Sequence, residues 1–99
     1  MFKALKDHTD DLRYQRGETV FISPRRMVSI SESQELELHE DLLHLMEINE
    51  KFLTHWCQEN VKGKWKSELV AGLPEDPKTG IYFHFSKKSE AVRFKLTWG

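Results

Sequence analysis

The chain is poor in the residues that usually signal crosslinking or catalysis. Its single cysteine, Cys57, cannot form an internal disulfide, and a lone thiol suits a reducing compartment, so a cytoplasmic location is expected. No apolar run approaches the roughly 18–20 residues of a membrane span, and the opening "MFKALKDHTDD" lacks the apolar core of a signal peptide. An unprocessed chain without membrane contact is the expectation. The sequence also lacks a phosphate-cradling glycine loop, a G-x-S-x-G elbow and any metal-spaced cysteine cluster. No cofactor, no metal and no enzymatic activity are therefore expected.

The five histidines are scattered. Glu40 and His44 stand at an i, i+4 spacing able to share a metal, and such a pair is more often a surface contact. His55 and Cys57, two apart, do not face each other on a helix, which argues against a local Cys/His dyad. Cys57 reads better as a small buried apolar residue.

What the sequence does hold is 99 residues and a net charge of −1 that is unevenly spread. The length suits a single domain, 1–99, burying roughly 60–65% of its unfolded surface. Residues 32–50 carry seven acids and no Lys or Arg, whereas residues 61–99 carry eight Lys or Arg against four acids. The acidic stretch, with Glu37, Glu40, Asp41 and Glu47, is a candidate protein-binding surface on a long helix.

Hydrophobic period divides the chain. "ETVFIS" (18–23) and "MVSIS" (27–31) are rich in β-branched residues and predict two short strands, a hairpin around "PRR". From Leu38 the period becomes helical, with Leu38, Leu42, Leu45, Met46, Asn49, Phe52, Leu53 and Trp56 on one face, predicting a helix over about 38–60 that stops near Asn60 and Gly63. "GKWKSELV" (63–70) and "GIYFHF" (80–85) predict strands joined by the turn-rich "GLPEDPKTG". In the second strand Ile81, Phe83 and Phe85 share the core side, leaving Tyr82 and His84 opposite. For residues 87–98, Val92, Phe94, Leu96 and Trp98 alternate as in a final strand, while Ala91, Phe94 and Trp98 suit a helix that Ser86 or Ser89 would cap. Residue chemistry leaves both open. The fold class is α+β: a small, mainly antiparallel sheet packed by one long helix and closed by the C-terminal segment.

Two basic stretches raise a nucleic-acid alternative. Against the RNA-recognition strand pattern, Lys78, Tyr82 and Phe85 fit, but Gly80 stands where the first base-stacking aromatic belongs, leaving Tyr82 without a companion. The spacing from Phe85 to Ala91 also suits that fold, although Gly99 leaves no room for its final strand. Lys62, Lys64 and Lys66 flank Trp65, and with Tyr82, Lys87 and Lys88 they are the candidate phosphate- and base-contacting residues. The simpler reading turns the lysines to solvent on an edge strand and Trp65 into the core. It predicts Phe83, Phe85 and Phe94 buried, the lysines dispersed around the rim, and only weak, nonspecific nucleic-acid binding.

Residues 56–99 carry a resemblance. "WCQEN", then Gly63 and Trp65, then "YFHFSKKSEAVRFKLTWG" resembles a W-C-x-E-N…G-x-W…F-x-F…A-x-x-F-K-L-x-W-G pattern of small, uncharacterised bacteriophage proteins. That family usually has acids before the final segment, where this chain has Lys87 and Lys88. The resemblance implies phage origin and a host-cytoplasmic location, and carries no activity. Residues 3–22, "KALKDHTDDLRYQRGETVFI", are similar to the start of SH3 domains in their A-L-x-D strand, acidic loop and G-[DE]. The aromatic groove is missing, and Phe83 holds the place of the G-x-x-P proline. The function expected is a phage accessory protein that binds a host or phage protein.

Overall fold

The computed structural model describes residues 18–99. Residues 3–17, which carry most of the SH3 likeness, lie outside them, as does His8. The elements run β1 (Glu18–Ile22), α1 (Pro24–Ser33), α2 (Leu42–Asn60), β2 (Trp65–Val70), β3 (Gly80–Phe85) and α3 (Lys88–Trp98). This is an α+β fold with a three-stranded sheet of order β1-β3-β2, antiparallel at both ladders. Because β3 runs against both neighbours, β1 and β2 are parallel with β3 inserted between them, a split β-α-β arrangement.

The sheet and the three described helices share one core. Val20, Ile22, Ile81, Phe83 and Phe85 turn to one side and are 0–5% exposed. There α3 places Phe94 with its ring centroid 4.7 Å from that of Phe83 and 5.1 Å from that of Phe85. On α2, Leu45, Met46, Asn49, Leu53 and Cys57 are buried, following the expected stripe, while Leu42, Phe52 and Trp56 pack half-buried against the core. Trp56 meets Phe94 and Trp98 edge-on at 5.8 and 6.1 Å. Trp65, also half-buried, packs against this core.

Two elements differ from the sequence expectation, and a third, left open there, is decided. The hairpin around "PRR" is absent: residues 24–33 form α1 instead. Ser23 caps it by accepting the Arg26 N–H at 3.1 Å, and Pro24 supplies a pre-set φ at the first helical position. Met27, Ile30 and Ser31, at i, i+3 and i+4, are its buried side. The proline thus starts a helix rather than breaking a hairpin. α1 ends at Ser33 with Gln34 as its cap; Glu35 follows with a left-handed φ of 57°, and the Leu36 N–H reaches back to the Ser31 carbonyl at 2.8 Å.

α2 begins at Leu42, four residues after the expected start. Asp41 is extended and accepts the Leu43 N–H at 3.0 Å, so the helix is capped there and Leu38 is left exposed in the linker. Residues 88–98 are helix. Burial decides between the two local patterns: Ala91 and Phe94 face inward, while Val92 and the 83%-exposed Leu96, which a strand would have buried alongside Phe94, face out. Neither Ser86 nor Ser89 caps α3: Lys87 holds the cap position without a side-chain bond, and the Ser86 hydroxyl accepts the Lys64 N–H at 3.1 Å. The acid in the first turn, Glu90, offsets the lysines at the positive helix end.

Candidate functional site: the open side of the sheet

Strand alternation gives the sheet a second side on which Thr19 and Phe21 of β1, Tyr82 and His84 of β3, and Lys66 and Glu68 of β2 fall together. None of these belongs to the buried core. Phe21 lies directly across from Tyr82 in the β1–β3 ladder, with ring centroids 4.8 Å apart and planes tilted by 41°. Phe21 remains 38% exposed.

Gly80 explains the position of this pair. A Cβ at Gly80 would lie 2.5 Å from Phe21 Cε1 and 2.5 Å from the Ile22 carbonyl oxygen. The ring of Phe21 therefore occupies the space that a Gly80 side chain would fill. The aromatic that β3 lacks at this position is supplied by β1. Sequence reasoning missed Phe21 because it compared one strand with a one-strand pattern. The in–out–in alternation of Val20, Phe21 and Ile22 was the available signal, and only the ladder register sets Phe21 against Tyr82.

His84 stands beside the pair in the same strand. Its Nδ1 is 2.9 Å from Thr19 Oγ1 and its Nε2 is 3.2 Å from Glu68 Oε1. With a proton on Nε2, the ring donates to the carboxylate and accepts from the threonine hydroxyl, bridging all three strands. The Tyr82 hydroxyl donates to the Lys78 carbonyl at 3.0 Å. These bonds hold the open-face side chains in place.

The expected basic residues are divided. The Glu90 carboxylate accepts the N–H groups of Lys62 at 2.8 Å and Gly63 at 3.1 Å, and the Ser86 N–H donates to the Lys64 carbonyl at 3.0 Å. This joint packs the 61–64 turn against the start of α3, close enough that a Cβ on Gly63 would sit 3.2 Å from Lys87 Cδ. The backbone of the 61–64 turn thereby meets the start of α3, where Lys87 and Lys88 lie, at one end of the sheet. Lys66 lies further along β2, opposite His84. Trp65, on the core side, is not part of the open face.

No family model, curated protein or solved structure matches this chain. The residues of the "WCQEN…G-x-W…F-K-L-x-W-G" pattern can instead be read from their contacts. Trp56, Phe94 and Trp98 pack ring on ring, Cys57 is buried, and Asn60 Nδ2 donates to the Trp56 carbonyl at 2.9 Å. Arg93 donates to Asn60 Oδ1 at 3.1 Å and lies 5.6 Å over the Trp56 ring. Gly63 admits the Glu90 carboxylate. Most of the pattern thus builds the joint between α2, β2 and α3.

The acidic candidates do not form one helix face. Glu37 and Glu40 lie in the linker before α2, Asp41 is its cap, and Glu47 is exposed one turn into it. Carboxylates ahead of Leu42 favour the positive end of α2, which is why the helix begins after them. The His44 hydrogen bond and the Leu43 N–H hold the Asp41 carboxyl below its ordinary range. His44 pairs with Asp41 at 2.9 Å, so the expected i, i+4 relation with Glu40 does not arise. Among the described residues no group of three or more His, Cys, Asp or Glu could hold a metal ion. Burial pushes the Cys57 thiol up to about 12, with the Glu90 charge adding to the effect, so it is no ready nucleophile. An open groove of about 620 Å³ runs along α2 between Leu36 and Ile48, Phe52 and His55. No described helix is long and apolar enough to cross a membrane.

Proposed function

We propose that this chain is a small phage-encoded accessory protein, working in the host cytoplasm by binding rather than by catalysis, with the open side of the sheet as its contact surface. The observation that carries the reading is the Phe21 ring held over Gly80 against Tyr82, outside the core. Exposed aromatics held in one geometry lose little conformational freedom when a partner covers them, and such side chains are enriched at binding hot spots. Phage origin rests on the resemblance over residues 56–99.

A host or phage protein is one class of partner for such a surface, and the acids Glu37, Glu40, Asp41 and Glu47 would then be a second contact region. Capture from phage-infected lysate, with and without nuclease, tests the reading. Wild-type protein should retain a partner that Tyr82→Ala loses and that replacement of Glu37 and Glu40 by Gln weakens at low salt. Capture indifferent to Tyr82 would refute the open face as the contact surface.

A further inference from the structure

Stacking a nucleobase requires an exposed flat ring, and holding the adjoining backbone requires cations placed alongside. The rings occur on this sheet and the cations beyond one end of it. Phe21 and Tyr82, on adjacent strands, form a tilted ring pair in which Phe21 is exposed and Tyr82 half-buried. Gly80 makes room for the first, and the bond to the Lys78 carbonyl holds the second. The platform is ordered before a ligand arrives.

The cations lie past the end of β3, in the turn before β2 and at the start of α3. Ser86, four residues beyond Tyr82, is roughly 13 Å away at the strand rise. There the Glu90 joint brings Lys62 beside Lys87 and Lys88, all three exposed. Glu90 itself is turned onto backbone N–H groups, and Glu68, on the open face, is turned onto His84. Glu32, Glu37 and Glu40 lie in α1 and the linker that follows it. Positive charge thus lies beyond the Ser86 end of β3, and the Asp76 carboxylate, which accepts the Lys78 N–H at 2.9 Å, lies at the other end.

We infer that the partner class is a single-stranded nucleic acid, with bases stacked on Phe21 and Tyr82 and phosphates running toward Lys62, Lys87 and Lys88. This rests on the open face being the contact surface.

The test is an anisotropy titration of the full chain with labelled oligothymidylate and oligouridylate of about ten nucleotides, at low and at physiological salt. Saturable binding is expected, weakened about five- to hundred-fold by Tyr82→Ala, the range for losing one stacked base. Lys87→Gln with Lys88→Gln should flatten the logarithmic salt dependence by about 1.4, two phosphates' worth for a single strand. Lys95→Gln, in the last turn of α3, should leave that slope unchanged. Tyr82→Ala counts only with an unaltered thermal transition; should it unfold the chain, the lysine pair carries the test. No saturable binding at low salt, or binding indifferent to the variants, overturns the inference. If nuclease-resistant capture from lysate is nonetheless lost in Tyr82→Ala, the partner is a protein and the open-face reading stands. If that capture is also indifferent to Tyr82, both fall.

Discussion

The two sides of one sheet are built from alternate residues of the same strands, yet they do different work. On the inner side Val20, Ile22, Ile81, Phe83 and Phe85 are 0–5% exposed and packed under α2 and α3. On the outer side Phe21, Tyr82 and His84 are held by a glycine, a carbonyl and a carboxylate, with no apolar layer over them among the described residues. Burial secures the first side, while short polar bonds and one steric vacancy position the second. Changes on the inner side should therefore act on stability, and changes on the outer side on binding.

The largest effect is expected from Phe83→Ala, which should cost on the order of 3–5 kcal/mol in urea denaturation. Phe21→Ala, on the other side of the sheet, should cost only about 1 kcal/mol, the scale of a cross-strand aromatic pair. Equal losses would mean that the outer side is as structural as the inner. Gly80→Ala should follow at about 1–3 kcal/mol, because the new methyl meets the Ile22 carbonyl and the Phe21 ring. It should also displace Phe21, seen as altered Phe21 and Tyr82 ring resonances.

Cys57 tests the core by pH. Its folded pKa of about 12 lies above the ordinary 9.0, so the folded state keeps a proton that the unfolded chain releases. This contribution is complete below pH 9 and is lost as pH rises toward 12. Urea midpoints of wild type should fall more steeply above pH 9 than those of Cys57→Ala. The smallest effect is expected at Asp41, whose lowered carboxyl pKa contributes stability above its ordinary value of 3.8 that is lost as pH falls below it. Asp41→Ala should lower the melting temperature slightly at neutral pH and make no difference at about pH 2.

The body of the long helix and the in–out pattern of β3 were legible because each depends on periodicity within a few residues, and the burial of Cys57 because a lone thiol behaves as a small apolar side chain. Residues 87–98 were different, since their apolar residues satisfy two periods at once and local sequence supplies no reason to prefer either; residues 27–31, expected as a strand from their β-branched residues, are helix. The choice came from outside each segment: the Ser23 cap and the contact of Ser31 with Asn49 Nδ2 for α1, and the fit of Phe94 against Phe83, Phe85 and Trp56 for α3. The candidate site was the least legible part. Sequence alone identified Gly80 as a missing aromatic, whereas strand pairing makes it the vacancy that Phe21 fills. Periodicity within one strand tells which side a residue faces, but its neighbour across the ladder is set by register, and register is decided only when the whole core closes.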